Sequence, residues 1–380
     1  MLKQEAISSL EVPESIREVI YRKKAYPFVD RGSIYGFALK EHLVEPVIKP
    51  NESAIFSLLA LECRLTYGIT GGQAGHLFYF HPAFGVSHVG SLGTGPVAGG
   101  ALVDIGNEMI LGGWWGNDGG GLFSHNTQLE STQGMEQFAG RVTPVEFLTV
   151  PKQGEGVCSL VCDRKTRTVY GLTLPGHFLF SLSLDSSDLK PRILSQIAGA
   201  PGVLALMADG RILGAYSEGR LWSFDPAGEC LKALDTYAPC QAGKRYVAGV
   251  QSLLVTSDGQ VYGGTDVDGY LFRYDPISGK LINLGKPNRQ SRIRALAEGH
   301  DGLIYGIVEE ANSLAHFFSF DRTGQGFSDL GIIGTNFPEY WFAHSIGSMS
   351  VGPFGELFLG ETDVLSHLFI YYPPVVRSKP

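Results

Sequence analysis

The stretch Asp258-Gly259-Gln260-Val261-Tyr262-Gly263-Gly264-Thr265-Asp266-Val267-Asp268-Gly269-Tyr270-Leu271-Phe272-Arg273-Tyr274-Asp275-Pro276 decides how this chain folds. It opens on Asp-Gly, a dipeptide that favours a tight turn between two strands. Val261 to Thr265 then reads as a strand, with a short polar loop behind it that ends at Gly269. Leu271 to Tyr274 is an apolar-aromatic strand closed by Asp275-Pro276, a turn signal. Two strands cannot bury enough surface to stand alone, so the question is whether the wording repeats.

It does, around Tyr67-Gly68, Leu111-Gly112, Tyr170-Gly171, Leu213-Gly214, Tyr262-Gly263, Tyr305-Gly306 and Leu359-Gly360. Each copy is preceded by an apolar run rich in small residues, such as Ala54–Ala60, Val157–Cys162, Val250–Ser257 or Ile346–Val351. Asp209-Gly210 and Asp301-Gly302 repeat the turn seen at Asp258-Gly259. A fourth short strand follows each copy, for example Val86–Gly90 or Leu281–Gly285. Four antiparallel strands recurring every 43 to 59 residues, seven times over, predict an all-β seven-bladed β-propeller. Only three strands belong to the last copy before Pro373-Pro374, so Ser33–Leu39 or Leu43–Ile48 is expected to complete it and close the ring. The expected organisation is an N-terminal helical extension over 1–30, with a helix at Pro13–Tyr21, a propeller over 31–374 and a tail over 375–380.

Composition agrees. Hydrophobic residues make up 44% and charged residues 18%, enough to bury a core and too apolar for a disordered chain. No run approaches the ~18 apolar residues of a membrane span. A net charge of −8 disfavours partnership with nucleic acid or an anionic membrane, both of which want a basic face. The first 28 residues lack the apolar run of a secretory signal, which makes the cytoplasm the expected compartment. Five cysteines, an odd and sparse set, do not form a disulfide framework. Cys158 and Cys162 are an even offset apart and are expected on one face, packing as small hydrophobes rather than as a metal pair.

In its Gly-Gly-Thr…Gly-x-Leu-Phe-Arg-Tyr-Asp-Pro wording, at residues 263–276, the chain resembles a broad group of seven-bladed propellers. Some of that group are polysaccharide lyases acting on uronate-containing chains. There is no recurrent Trp-Asp, no Asp-box, and only a loose kelch-like Gly-Gly. The resemblance implies the fold and, for activity, β-elimination on an acidic sugar.

Repetition also sorts the polar residues. His76, His177, His316 and His367 each stand just before the third strand and are expected to serve the blade. The loops that lead into the innermost strands share one face with those joining strands two and three. Three of them break the pattern: Lys244-Arg245-Tyr246, then Arg289 with Arg292 and Arg294, then Glu339-Tyr340-Trp341 with His344. Cations and aromatics side by side suit an anionic or sugar-like ligand, since arginine pairs with carboxylate and rings stack on sugar. In a lyase, Arg245 or Arg292 would neutralise the carboxylate, His344 would act as base, and Tyr246 or Tyr340 would protonate the leaving oxygen. Lys244, Arg289, Arg294, Glu339 and Trp341 would bind, together with Trp115, because of adjacent Trp114 and Trp115 only one can reach the site. Thr265-Asp266-Val267-Asp268 lacks the spacing of an EF-hand. The expectation is a ligand-binding propeller without cofactor or metal, with a lyase or a protein-binding scaffold as alternatives.

Overall fold

The computed structural model describes residues 29, 31–39, 48–82, 85–93, 95–128, 145–186, 188–197, 199, 202–324, 326–335 and 340–374. The helix expected at Pro13–Tyr21, most of the 43–48 stretch, Glu339 and the 375–380 tail lie outside these residues. Seven four-stranded antiparallel sheets form the propeller. Blade 1 runs from Ala54–Ala60 at the channel to Gly85–Ser91 at the rim, and blade 2 from Gly99–Gly106 to Glu146–Leu148. Blade 3 runs from Gly156–Asp163 to Arg192–Gln196, blade 4 from Ala205–Leu206 to Cys230–Tyr237. Blade 5 spans Val250–Val255 to Leu281–Gly285 and blade 6 Arg292–Glu298 to Gly326–Ile332. Blade 7 has Ile346–Val351, Leu357–Glu361 and His367–Tyr372, and takes its rim strand from Ser33–Ala38. That strand pairs without a slip from Ser33↔Tyr372 to Ala38↔His367, as ring closure requires.

The repeated glycine has a packing cause. Gly68, Gly112, Gly171, Gly214, Gly263 and Gly306 stand opposite Phe78, Phe123, Phe180, Trp222, Phe272 and Phe318 on the neighbouring strand. In each case a β-carbon would collide with that ring, so glycine on one strand makes room for a buried aromatic on the next. Seven apolar clusters result, one in every seam between neighbouring blades.

A second recurring feature shapes the channel. Five innermost strands slip register at the same place, between Ile55/Ser57, Val157/Ser159, Val250/Ser252, Ile293/Ala295 and Ile346/Ser348. The skipped residues are Phe56, Cys158, Gln251, Arg294 and Gly347. A β-bulge re-aims its extra side chain, and here all five line the channel. The serine after the bulge stitches blades together: Ser252 Oγ donates to the Ile293 carbonyl (2.9 Å) and Ser159 Oγ accepts from the Leu204 amide (3.2 Å). The bulge also corrects the expectation for the cysteines. Cys158 packs in the seam towards blade 4 and Cys162 in the seam towards blade 2, because Cys158 is itself the extra residue of the bulge and shares a side with Ser159.

The histidines need a correction too. Gly68↔Phe78 and Gly306↔Phe318 put His76 and His316 at one position, opposite Thr70 and Val308. His177 falls one residue earlier, before its strand with φ of 55°, while Leu359↔Phe369 places His367 at the same position as His76 and His316. Beside it stands Glu361, whose equivalents opposite the bulge are Thr70, Thr173, Thr265 and Val308. In blade 7 this step is Glu361 beside His367, and both are fully buried.

Candidate functional site

The bulges converge on a cavity of about 260 Å³ to which all seven blades contribute. That volume equals roughly nine waters at ~30 Å³ each, the space of a single small ring with some solvent. Its walls divide. Phe56, Trp115, Cys158, Leu174 and Val203 form an apolar arc on blades 1 to 4, while Gln251, Asp266 and Arg294 form a polar arc on blades 5 and 6. Trp115 reaches the channel, and its neighbour Trp114 packs on Phe123 and Phe147 instead. Burial pushes the Cys158 thiol up to about 12. A larger hollow of about 450 Å³ lies at the rim of blade 7, between Tyr35, Phe80 and Tyr372. Its described lining residues include no carboxylate, imidazole or cation, so volume alone does not select the site.

The polar arc is a chain of contacts. With the Gln251 amide nitrogen donating to Asp266 Oδ1 (2.7 Å), its oxygen accepts from Arg294 Nη1 (3.2 Å). Arg294 Nε lies 3.2 Å from Glu309 Oε1, in an ion pair shared with Arg292 Nε at 3.7 Å. Glu309 Oε2 accepts from Ser345 Oγ (2.9 Å) and from the Ile346 amide (3.3 Å), and Thr362 Oγ1 donates to Ser345 Oγ (2.9 Å). Arg292 and His344 are thereby drawn together: Glu309 holds the arginine on one oxygen and the residue after His344 on the other. The charges of this arc balance, two guanidiniums against Asp266 and Glu309.

None of the remaining sequence candidates among the described residues lines the cavity. Before blade 7 the chain forms a small hairpin, Gly334–Thr335 paired with Trp341–Phe342. Its Trp341 Nε1 donates to both carboxylate oxygens of Glu361 (3.0 Å each), and its indole stacks on His367 at 4.5 Å. Tyr340, 56% exposed, and the exposed His344 flank that hairpin strand. Arg289 is exposed on the loop leading into blade 6.

Lys244, Arg245 and Tyr246 do not join this group. Lys244 Nζ pairs with buried Asp268 (3.0 Å). Arg245 donates to the Ala238 carbonyl (2.6 Å) and lies over the Tyr237 ring at the end of the rim strand of blade 4. Tyr246 is 77% exposed. The sequence reading missed Phe56, Gln251, Glu309, Glu361 and the role of His367. Its available signal was the residue between the β-branched and small positions of five inner strands: Ile55-Phe56-Ser57, Val157-Cys158-Ser159, Val250-Gln251-Ser252, Ile293-Arg294-Ala295, Ile346-Gly347-Ser348.

No family model and no curated protein matches the chain. Solved propellers do. Virginiamycin B lyase from Staphylococcus aureus superposes with a TM-score of 0.63 at 8% identity, over 89% of this chain and 98% of that one. The WD40 β-propeller domain of Doa1 gives 0.57 at 14% identity, over 90% and 97%. The extracellular domain of a hybrid two-component system from B. thetaiotaomicron gives 0.58 at 16% identity. The match covers 87% of this chain and 40% of that one, so the chain spans about two fifths of its length. At these identities the likeness establishes the fold.

Proposed function

We propose that the protein binds a small sugar-like ligand in the channel, with one apolar face on Trp115 and Phe56 and its hydroxyls on Asp266, Gln251 and Arg294. The observation that carries this reading is the gathering of the bulged residues into one cavity with an aromatic side and a polar side. Sugars offer that division, a C–H face and a rim of donors and acceptors, and a buried site needs partners for both. The charge balance of the polar arc favours a neutral ring over a strongly anionic one. Arg292 and Arg294 are both engaged by Glu309, so an acidic ligand would have to displace a carboxylate already in place.

The lyase alternative draws on Arg292 and His344 instead. There Arg292 leaves Glu309 for a substrate carboxylate, His344 takes the α-proton, and Tyr340 protonates the glycosidic oxygen as its bond to the β-carbon breaks. One titration separates the readings. The protein is titrated with neutral monosaccharides and with uronate oligosaccharides, following tryptophan emission and the ultraviolet absorbance of an unsaturated product. Saturable quenching by a neutral sugar, at least tenfold weaker in Trp115→Ala and in Arg294→Met, is the expected result. Product absorbance with uronates alone would move the assignment to the lyase, and no response to either class would end both.

A further inference from the structure

We propose that a hollow between blades 7 and 1 is a second subsite, which takes the next unit of the ligand held in the channel and so makes the ligand class an oligosaccharide. The inference rests on the reading of the channel as a sugar site. The hollow measures about 460 Å³ and is lined by the loop entering blade 1 and by the loops joining strands two and three of blades 1 and 7. The channel cavity, at about 260 Å³, has room for one ring, so a longer ligand must leave it through a neighbouring space. Two glycines form the edge between the two spaces. Gly347 is the only glycine among the five bulged residues. Gly71 stands where blades 2, 3 and 5 put Trp115, Leu174 and Asp266 into the cavity. A β-carbon at Gly71 would strike the Phe56 ring, and one at Gly347 would strike the Thr362 methyl. Phe56 and Gly347 line the cavity while Gly71 and Thr362 line the hollow, so the two spaces share an edge that carries no side chain at residues 71 and 347.

The hollow is framed by hydrogen bonds across the seam that closes the ring. The Asn51 amide donates to the Val364 carbonyl (2.6 Å), and the Asn51 carbonyl accepts from the Gln73 amide (2.7 Å). Ser53 Oγ donates to the same Val364 carbonyl (3.3 Å) and accepts from the Ser366 amide (3.0 Å). Three segments distant in sequence are thus tied at one place, and a surface already ordered loses little entropy on binding. Its lining divides as the channel does. Ala54 and Val364, the latter 61% exposed, offer apolar surface, while Gln73, Thr362 and Asp363 offer polar side chains. Asp363 Oδ1 accepts from the Val364 amide (2.6 Å), and no described residue donates to Oδ2. A carboxylate oxygen and an amide side chain together suit neighbouring sugar hydroxyls, which both donate and accept. Asp363 is the one charged residue of this lining, which disfavours a uronate as the second unit.

The test compares one sugar unit with two. The protein is titrated calorimetrically with glucose, maltose and cellobiose, and with N-acetylglucosamine and chitobiose. A disaccharide should bind roughly tenfold tighter than its own monosaccharide. Gln73→Ala and Asp363→Ala should each remove most of that advantage and leave monosaccharide affinity within about twofold of the parent. Gln73 is exposed, so its replacement keeps the fold even if Asp363→Ala disturbs its loop. Monosaccharide binding with no gain for either class of disaccharide, or a gain that survives in both variants, overturns the subsite and leaves the channel reading standing. Binding of none of these sugars would end the channel reading and the subsite with it.

Discussion

Blade 3 and blade 7 pass through the same steps of the repeat and resolve them differently. In blade 3, Gly171 lies under the Phe180 ring, and Thr173 Oγ1 accepts from the Phe178 amide (3.0 Å) and donates to Glu155 Oε2 (2.8 Å). In blade 7, Leu359 faces Phe369, and Glu361 accepts from the His367 amide (2.9 Å) and from Trp341 Nε1 (3.0 Å). The first arrangement keeps glycine under the ring and a hydroxyl at the polar step. The second has given up the glycine, and its polar step is a buried carboxylate that turns towards Trp341 on the hairpin before the blade. The difference teaches where to look in a molecule made of copies. Sites shared by all copies maintain the ring, while a copy that accepts a costlier interior does so for something outside the blade.

The most severe way to break the comparison is to remove what blade 3 keeps. Phe180→Ala leaves a cavity over Gly171 in a seam that includes Leu111, Val157 and Leu160. A buried phenylalanine truncated in this way costs about 3–5 kcal/mol. Urea unfolding should show a lower midpoint at an unchanged slope. A loss under about 1 kcal/mol would mean that the glycine–aromatic pair is not what holds the blade.

At the polar step itself, blades 1 and 6 offer a subtler contrast. His76 Nδ1 meets His88 Nε2 at 3.1 Å, with Glu52 on its other nitrogen at 3.0 Å, whereas the equivalent His316 meets Asp329 at 3.3 Å. Burial, and then the proximity of His76, lower His88 from its ordinary 6.5 to about 4. Burial alone would raise the Asp329 carboxyl, but hydrogen bonds from His316 and the Gly331 amide hold it below its ordinary 3.8. Both shifts run downward, so in each case the unfolded chain binds the proton more readily and stability falls as pH falls. The windows differ. Blade 1 loses its contribution between pH 6.5 and 4, and blade 6 only below 3.8. Melting temperatures across that range should therefore show a slope above pH 4 that flattens in His88→Gln and persists in Asp329→Asn. A parent slope confined below pH 4 would refute the assignment to His88.

The architecture was legible because its cause is repeated seven times. A glycine that must admit a ring marks six of the copies, and a rim strand marks all seven. Counting strands in the last copy called for a closing strand from one of two upstream stretches, and Ser33–Ala38 supplies it. The site was legible only in part, for a definite reason. Arg292, Arg294, Trp115, Trp341 and His344 drew attention as uncommon residues on loops. Gln251 and Phe56 are ordinary residues made special by a one-residue slip in register, which spacing in sequence does not announce. Glu361 and His367 are six apart, and only the cross-strand register shows that they touch. Gly360 was matched to Gly68 by wording, whereas Leu359, opposite Phe369, stands at that position. Aligning by hydrogen-bonded partner rather than by wording removes that error.

The bulge position gives the mildest test, between Cys158 in blade 3 and Arg294 in blade 6. Both are skipped residues that line the channel, but Arg294 has Glu309 and Gln251 to satisfy it while Cys158 only donates to the Leu172 carbonyl at 3.2 Å. A thiol raised to about 12, against an ordinary 9.0, is a thiolate roughly a thousandfold less often at pH 8. A disulfide reagent should therefore modify exposed Cys63 and Cys230 long before it touches Cys158 in the folded protein. Cys158→Ser keeps the donor and nearly the volume, so stability should stay within about 1 kcal/mol and sugar quenching should be retained. Removing Arg294 strips the polar arc of its one cation on the cavity wall, and binding should fall. If Cys158 is modified as fast as Cys63, the channel wall at blade 3 is wetter and looser than a packed apolar arc allows. The division of the cavity into two sides would then fail at its quieter end.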